Sequence, residues 1–188
     1  MRSDGRLVVL DVHGVVFTNP LVPFLLETAR RHGREEAQVL RLWSGQLRRP
    51  FWLGELSVSQ LWDSLYPGCD PTALSVELEA RYEVGPLFTL LDTIDDPIWL
   101  LSNHRSEWLL PRIARFGLEG RFERVCVSDA IGFVKPEPEA FELVRRMAGG
   151  RAIRYLDDNP ANVAAAGAIF DEVLGLDEAD RLRGTPVG

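Results

Sequence analysis

The stretch that decides the fold is Leu7-Val8-Val9-Leu10-Asp11-Val12-His13-Gly14-Val15. Four apolar, β-branched-rich residues end on an acid, and a glycine directly after a histidine permits a tight exit. A short, continuously apolar run of this kind reads as a strand buried on both faces, which is the signature of a parallel sheet. It is also far too short for a secretory signal or for the roughly 18 apolar residues of a membrane span.

Similar runs recur at Ile98 to Leu101, Val125 to Val127, Ile153 to Leu156 and Val173 to Leu174, with helical patterns between them. Ser106 to Phe116 ends at Gly117, Pro138 to Ala148 ends at Gly149-Gly150, and Ala161 to Phe170 follows Asn159-Pro160. Alternation of strands and helices predicts an α/β, doubly wound core. About 85 residues separate the first two strands, more than one crossover helix needs, so an insert is expected there. Its pattern predicts four helices: Leu21 to His32, Arg34 to Leu47, Val58 to Leu65 and Thr72 to Tyr82. Ser57-Val-Ser-Gln60 reads as a capping box and Asp70-Pro71 as an N-cap with a first-turn proline. Trp43, Trp52 and Trp62 fall among the apolar positions of the insert and read as its core.

The 188 residues carry 28 acids and 21 bases, a net charge of −7, with 46% hydrophobic residues. That is one soluble domain with a small insert, and the acidic balance excludes a nucleic-acid binder, whose phosphate contacts need clustered cations. No membrane partner is expected, and a cytoplasmic location is. Cys69 and Cys126 stand alone, with no CxxC pair or histidine at zinc spacing, so neither a disulfide nor a zinc site is predicted. His32, at a helix end before Gly33, reads as structural. Twenty of the bases are arginine and only Lys135 is lysine. A compact ammonium on a flexible stem does what a planar guanidinium cannot, so the single lysine reads as chemical.

Four features follow strands, at the carboxyl edge where open α/β sheets bind ligands. They are Asp11 with His13-Gly14, Ser102-Asn103-His104, Lys135-Pro136, and Asp157-Asp158-Asn159 with Asn162 a turn further on. Singly, Asp11 is compatible with a turn cap, Ser102 with an N-cap, and Asp157-Asp158 with capping of the next helix. Together and in this order they put three carboxylates and one ammonium in one cleft. Carboxylates so placed repel unless a cation offsets them, and Mg²⁺ is the usual partner of a few carboxylates, phosphate oxygens and water.

With these motifs the whole chain resembles the haloacid dehalogenase (HAD) superfamily, within it the branch with a helical cap after the first motif. The phrases Leu-Ser-Asn, Lys-Pro-Glu and Asp-Asp-Asn resemble those of small sugar-phosphate phosphatases and of the N-terminal phosphatase domain of soluble epoxide hydrolase. The resemblance implies a Rossmann-like core with parallel strands in the order 3-2-1-4-5, residues 1–17 and 88–188, and a cap of residues 18–87. It implies a Mg²⁺-dependent phosphatase of a small phosphorylated metabolite. Asp11 is then the nucleophile, and Mg²⁺ is held by Asp11, the His13 carbonyl and one or both of Asp157 and Asp158. Ser102, Asn103, Lys135 and, as a further contact, His104 face the phosphate, and Asn162 braces the last loop.

The family's phosphatases usually place a second aspartate two residues after the nucleophile, where this chain has His13. Three readings follow: His13 serves as acid and base, it is a spectator in an enzyme that needs a good leaving group, or the protein binds without turnover. A metal-independent haloacid dehalogenase built on Asp11, Ser102 and Lys135 is a further alternative. The oligomeric state is not legible.

Overall fold

A computed structural model describes residues 5–182, so residues 1–4 and 183–188, the outer ends of the expected core segments, lie outside the described residues. Five strands form one parallel sheet: β1 (Leu7–Leu10), β2 (Ile98–Ser102), β3 (Arg124–Val127), β4 (Ile153–Leu156) and β5 (Glu172–Leu174). Their order is β3-β2-β1-β4-β5, as the resemblance implied. β1 sits centrally, with Leu10 level with Leu100 on one side and Leu156 on the other. Asp11 therefore emerges at the point where the strand order reverses.

Alternation along β1 divides the core. Leu7 and Val9 pack with Trp99, Leu101 and Tyr155 against Phe141, Val144 and Ala166. These last three lie on helices α8 (Pro138–Met147) and α9 (Pro160–Ala166). Val8 and Leu10 face the other way, with Leu109 and Ile113 of α6 (Ser106–Arg115) and the insert's apolar residues. All four β1 residues are fully buried, which is why the strand reads as unbroken hydrophobic sequence.

The insert lies between β1 and β2. Its α-helical segments are α1 (Leu21–Arg31), α2 (Glu36–Leu42), α3 (Arg48–Trp52), α4 (Val58–Leu65) and α5 (Pro71–Glu79). The expected four helices are thus corrected to five: the second breaks at a π-helical turn, Trp43–Leu47, and resumes as α3. That turn buries Trp43 and Leu47, which lie on one helix face. The expected capping box is present, Gln60 N–H donating to Ser57 Oγ and Ser57 N–H to Gln60 Oε1. Asp70 accepts from Thr72 N–H at 2.9 Å. A short helix, α7 (Ser128–Ile131), follows β3.

The chain enters and leaves the insert on adjacent segments. Thr18 N–H donates to Glu83 O, Gly85 N–H to Val16 O and Leu87 N–H to Val15 O. A side chain at Gly85 would place Cβ 2.5 Å from Val15 O, so glycine is what lets the two segments pair. Polar contacts also fasten insert to core: Ser128 Oγ donates to Trp52 O at 2.6 Å, and Arg105 Nη1 to Leu56 O at 2.8 Å. Among the described residues no helix is long and apolar enough to cross a membrane. Cys69 and Cys126 are free.

Candidate active site

The carboxyl edge of the sheet brings together Asp11 after β1, Ser102 at the end of β2, Lys135, and Asp157-Asp158 after β4. Lys135 Nζ lies 2.6 Å from Asp11 Oδ1 and 2.6 Å from Asp157 Oδ2. It also donates to the Tyr155 hydroxyl at 3.1 Å. Lys135 is only 5% exposed, and it follows Val134 in a segment whose Lys135–Pro136 peptide is cis. Its backbone is held by Asn103: Lys135 N–H donates to Asn103 Oδ1, and Asn103 Nδ2 donates to Lys135 O, both at 2.7 Å. The Asn103 side chain thus serves the lysine loop.

Asp157 is the most heavily partnered carboxylate. Besides Lys135, its Oδ2 accepts from Asn162 Nδ2 at 2.9 Å and from the Tyr155 hydroxyl, while Oδ1 accepts from Asn159 N–H at 2.8 Å. Asn162 therefore braces this loop. Asp158 forms no ion pair among the described residues. It lies against Gly14, where a Cβ would fall 2.0 Å from Asp158 Oδ2 and where φ is +91°. Glycine at 14 is required twice, by conformation and by space.

Charge accounts for the titration of the cluster. Burial raises Asp11 to about 7, and the Asp157 charge adds to this against the opposing pull of Lys135. Burial acts the same way on Asp157, but Lys135 and the convergent donors outweigh it and lower its pKa. Burial and the Asp157 charge raise Asp158. One ammonium is shared by two buried carboxylates, so the better hydrogen-bonded one keeps the charge.

One oxygen from each of Asp11, Asp157 and Asp158 lies within 4.8 Å of the others. The three carboxylates face a single ammonium, and all three donors are hard oxygens. The set fits a divalent cation such as Mg²⁺, with Asp158 the ligand that no ion pair claims among the described residues. Ser102 Oγ is buried without a hydrogen-bond partner among the described residues. It lines a cavity of about 400 Å³ whose walls also include Asp11, His13, Lys135 and Asp158. An unpartnered hydroxyl beside the acids and the ammonium suits an anionic ligand.

Sequence reasoning missed the surroundings of His13. Arg112, on α6, has no exposed side-chain surface. Its Nη1 lies 2.6 Å from His13 Nε2, its Nη2 2.5 Å from Glu79 Oε2 at the end of α5, and its guanidinium carbon 3.2 Å from the centre of the Tyr82 ring. The signal was available: Leu109, Arg112, Ile113 and Phe116 recur at 3.6-residue spacing, so an arginine occupies the buried stripe of α6. His104 is buried too, its Nδ1 3.1 Å from Arg105 O, and its ring stacks on His13 at 4.3 Å. Burial, the other histidine, Arg112 and Lys135 hold His13 well below the usual histidine range. Burial and Arg112 push His104 down to about 3. Trp43 and Trp52, read as core, are buried as expected and also wall the cavity, whereas Trp62 is wholly interior.

Solved structures share this architecture. A HAD-family enzyme of Bacteroides thetaiotaomicron, as an aspartate-to-alanine mutant in complex with magnesium and inorganic phosphate, matches with a TM-score of 0.72 and 16% identity over 90% of this chain and 93% of that one. L-2-haloacid dehalogenase of Xanthobacter autotrophicus matches with a TM-score of 0.63 and 22% identity over 89% of this chain and 76% of that one. The L-2-haloacid dehalogenase RSc1362 gives 0.65 and 22% over 94% and 96%. No protein-family model and no curated protein matches the sequence. The fold is that of the haloacid dehalogenase-like proteins: a Rossmann-like parallel sheet carrying, in this chain, a helical insert between its first two strands.

Proposed function

We propose that the chain is a Mg²⁺-dependent phosphohydrolase of a small phosphorylated metabolite, with Asp11 as nucleophile and the helical insert of residues 18–87 as its cap. The observation that carries the reading is Asp158, a carboxylate without an ion pair, held against Gly14 within reach of the Asp11 and Asp157 oxygens. Two buried carboxylates sharing one ammonium beside the exposed Asp158 favour a divalent cation over a chemistry without metal.

Asp11, the His13 backbone carbonyl and Asp158 would hold the cation, with Asp157 turned mainly toward Lys135. When bound, Mg²⁺ supplies charge neutralisation on the transferring phosphoryl group. The remaining work falls to the chain. Ser102 Oγ and Lys135 bind phosphoryl oxygens and aim phosphorus at the free oxygen of Asp11. Asp11 attacks in line, forms an aspartyl-phosphate and expels the leaving oxygen into the cavity, and water then releases phosphate from Asp11. Lys135 keeps Asp11 oriented throughout, and His13 stands beside the leaving oxygen. The paired segments at residues 15–18 and 83–87 support the division into core and cap, which together exclude water from the transfer.

The test is phosphate release from aryl and sugar phosphates, with Mg²⁺ or with chelator, against Asp11→Asn. Turnover requiring both Mg²⁺ and Asp11 is expected. Chloride release from 2-chloropropionate in the presence of chelator would instead establish a dehalogenase, and cation and phosphate binding with no turnover would establish a binding protein.

A further inference from the structure

We propose that Arg112 fixes His13 as a neutral hydrogen-bond donor through Nδ1, and that the site is thereby restricted to phosphate monoesters whose leaving group departs as a stable oxyanion, namely aryl phosphates. The inference rests on the phosphohydrolase reading and deepens it to a substrate class.

The first support is the direction of the hydrogen bonds. A guanidinium has N–H donors, no acceptor, and does not deprotonate in proteins. At 2.6 Å from Arg112 Nη1, His13 Nε2 must therefore present its lone pair. His104 does the same: with its Nδ1 proton directed at Arg105 O, its Nε2 lone pair lies 3.5 Å from the same Nη1. A doubly protonated His13 would set one N–H against another. Glu79 and the Tyr82 ring hold the guanidinium in place, so the ring cannot exchange partners by moving Arg112 aside. What remains to His13 is an Nδ1–H group with no partner among the described residues, on a ring that lines the cavity.

Such a group can donate a hydrogen bond but cannot give up its proton without leaving an imidazolate, and it has no free lone pair with which to accept one. In the transfer step the Asp11 oxygen bonds to phosphorus while the phosphorus–oxygen bond to the leaving group breaks. The electron pair departs on that oxygen, and the proton stays on Nδ1. In the second step water adds to phosphorus, the bond to Asp11 breaks with its electron pair returning to the carboxylate, and the proton of the water passes to the aryloxide or to solvent. An alkoxide, being far more basic than an aryloxide, leaves phosphorus poorly unless a proton reaches it while the bond breaks, and His13 does not deliver one.

The second support is independent. On the insert side the cavity is walled by the rings of Trp43, Trp52 and Tyr82, together with Leu21, Val22, Asn19, Arg48 and Arg49. Trp52 stacks on His104 at 5.2 Å and 28°, and His104 stacks on His13, so a column of near-parallel rings runs from the nucleophile's loop into the insert. Planar aromatic leaving groups match those walls.

Two measurements test this. Phosphate release is followed with Mg²⁺ for substituted phenyl phosphates of graded phenol acidity and for benzyl phosphate, which keeps the ring but leaves as an alkoxide. General acid catalysis is worth about 10²–10⁴-fold, so benzyl phosphate is expected to fall at least about a hundredfold below 4-nitrophenyl phosphate, with a steep dependence across the phenyl series. Comparable rates overturn this inference and leave the phosphohydrolase standing, whereas no release from any ester overturns both. Nitrogen-15 NMR of the metal-free protein reads the tautomer directly: a proton on His13 Nδ1 is expected, lost or mixed in Arg112→Met, and a proton on Nε2 in the wild-type chain overturns the inference whether or not that variant folds.

Discussion

Asn103 and Lys135, 32 positions apart, exchange two hydrogen bonds of 2.7 Å, each side of the Asn103 amide satisfying one backbone group of the lysine. The position of the chain's one lysine ammonium is thus set by an amide directly after β2. Asn103→Ala removes both bonds and orphans two backbone groups, so a loss of about 1–3 kcal/mol is expected. Urea denaturation reads it as a lower midpoint at unchanged slope. Turnover should fall through kcat, because the displaced Lys135 no longer aims Asp11.

The two adjacent acids should separate cleanly. Asp157→Asn breaks the Lys135 pair and disturbs the bonds from Asn162 and Tyr155, and breaking a buried ion pair costs about 3–5 kcal/mol. Asp158→Asn breaks no ion pair, relieves repulsion from Asp157 and should leave thermal stability unchanged or higher. Its Mg²⁺ affinity, read by calorimetry, should drop at least tenfold. Equal effects on stability would refute the assignment of Asp158 as the free ligand.

Ser102→Ala is expected to trade function for stability. The hydroxyl is buried without a partner among the described residues, and an unsatisfied buried polar group costs about 1–3 kcal/mol. The variant should melt no lower than the parent while its inhibition by inorganic phosphate weakens several-fold. A clear loss of stability would show that Ser102 Oγ has a structural partner.

Gly14→Ala puts a methyl group into the Asp158 carboxylate at a backbone angle that favours glycine. A loss of about 1–2 kcal/mol from backbone strain is expected, with Mg²⁺ affinity falling more than stability does, since Asp158 must move. Parallel calorimetry and denaturation separate the two.

Proton linkage gives a further check. Asp11 is raised from 3.8 to about 7 in the metal-free chain, so the folded state binds a proton there that the unfolded state lacks. Stability from this group accordingly falls as pH rises from about 4 to about 7, the range between its unfolded and folded values. A cation that needs the ionised carboxylate must displace that proton, so Mg²⁺ affinity weakens as pH drops below about 7. Calorimetry in buffers of different ionisation enthalpy should register proton release at pH 6 and little at pH 8.

The sheet was legible because strands buried on both faces are written as apolar runs: β1 and β4 begin and end at the expected residues. The acids, Ser102 and Lys135 were legible because each follows such a run. The break at Trp43–Leu47 was not, since a π turn keeps helical spacing within a few residues and leaves no local sequence signal. Arg112, Glu79 and Tyr82 belong to two helix regions whose meeting depends on how the insert docks, and only Arg112 left a local trace, as a charge in an apolar stripe. The shortness of α9, Pro160–Ala166 against an expected end at Phe170, reflects a turn that brings Phe170 back onto Tyr155 and Phe141.

Because every other base is arginine, the buried ammonium of Lys135 is also the chain's sole side-chain amine. Acylating reagents that spare guanidinium groups can reach it only through the opening of the cavity it lines. The rate at which that one residue is modified therefore reports access to the cavity, and a bound cation that ties the loops together should slow the modification without any substrate present.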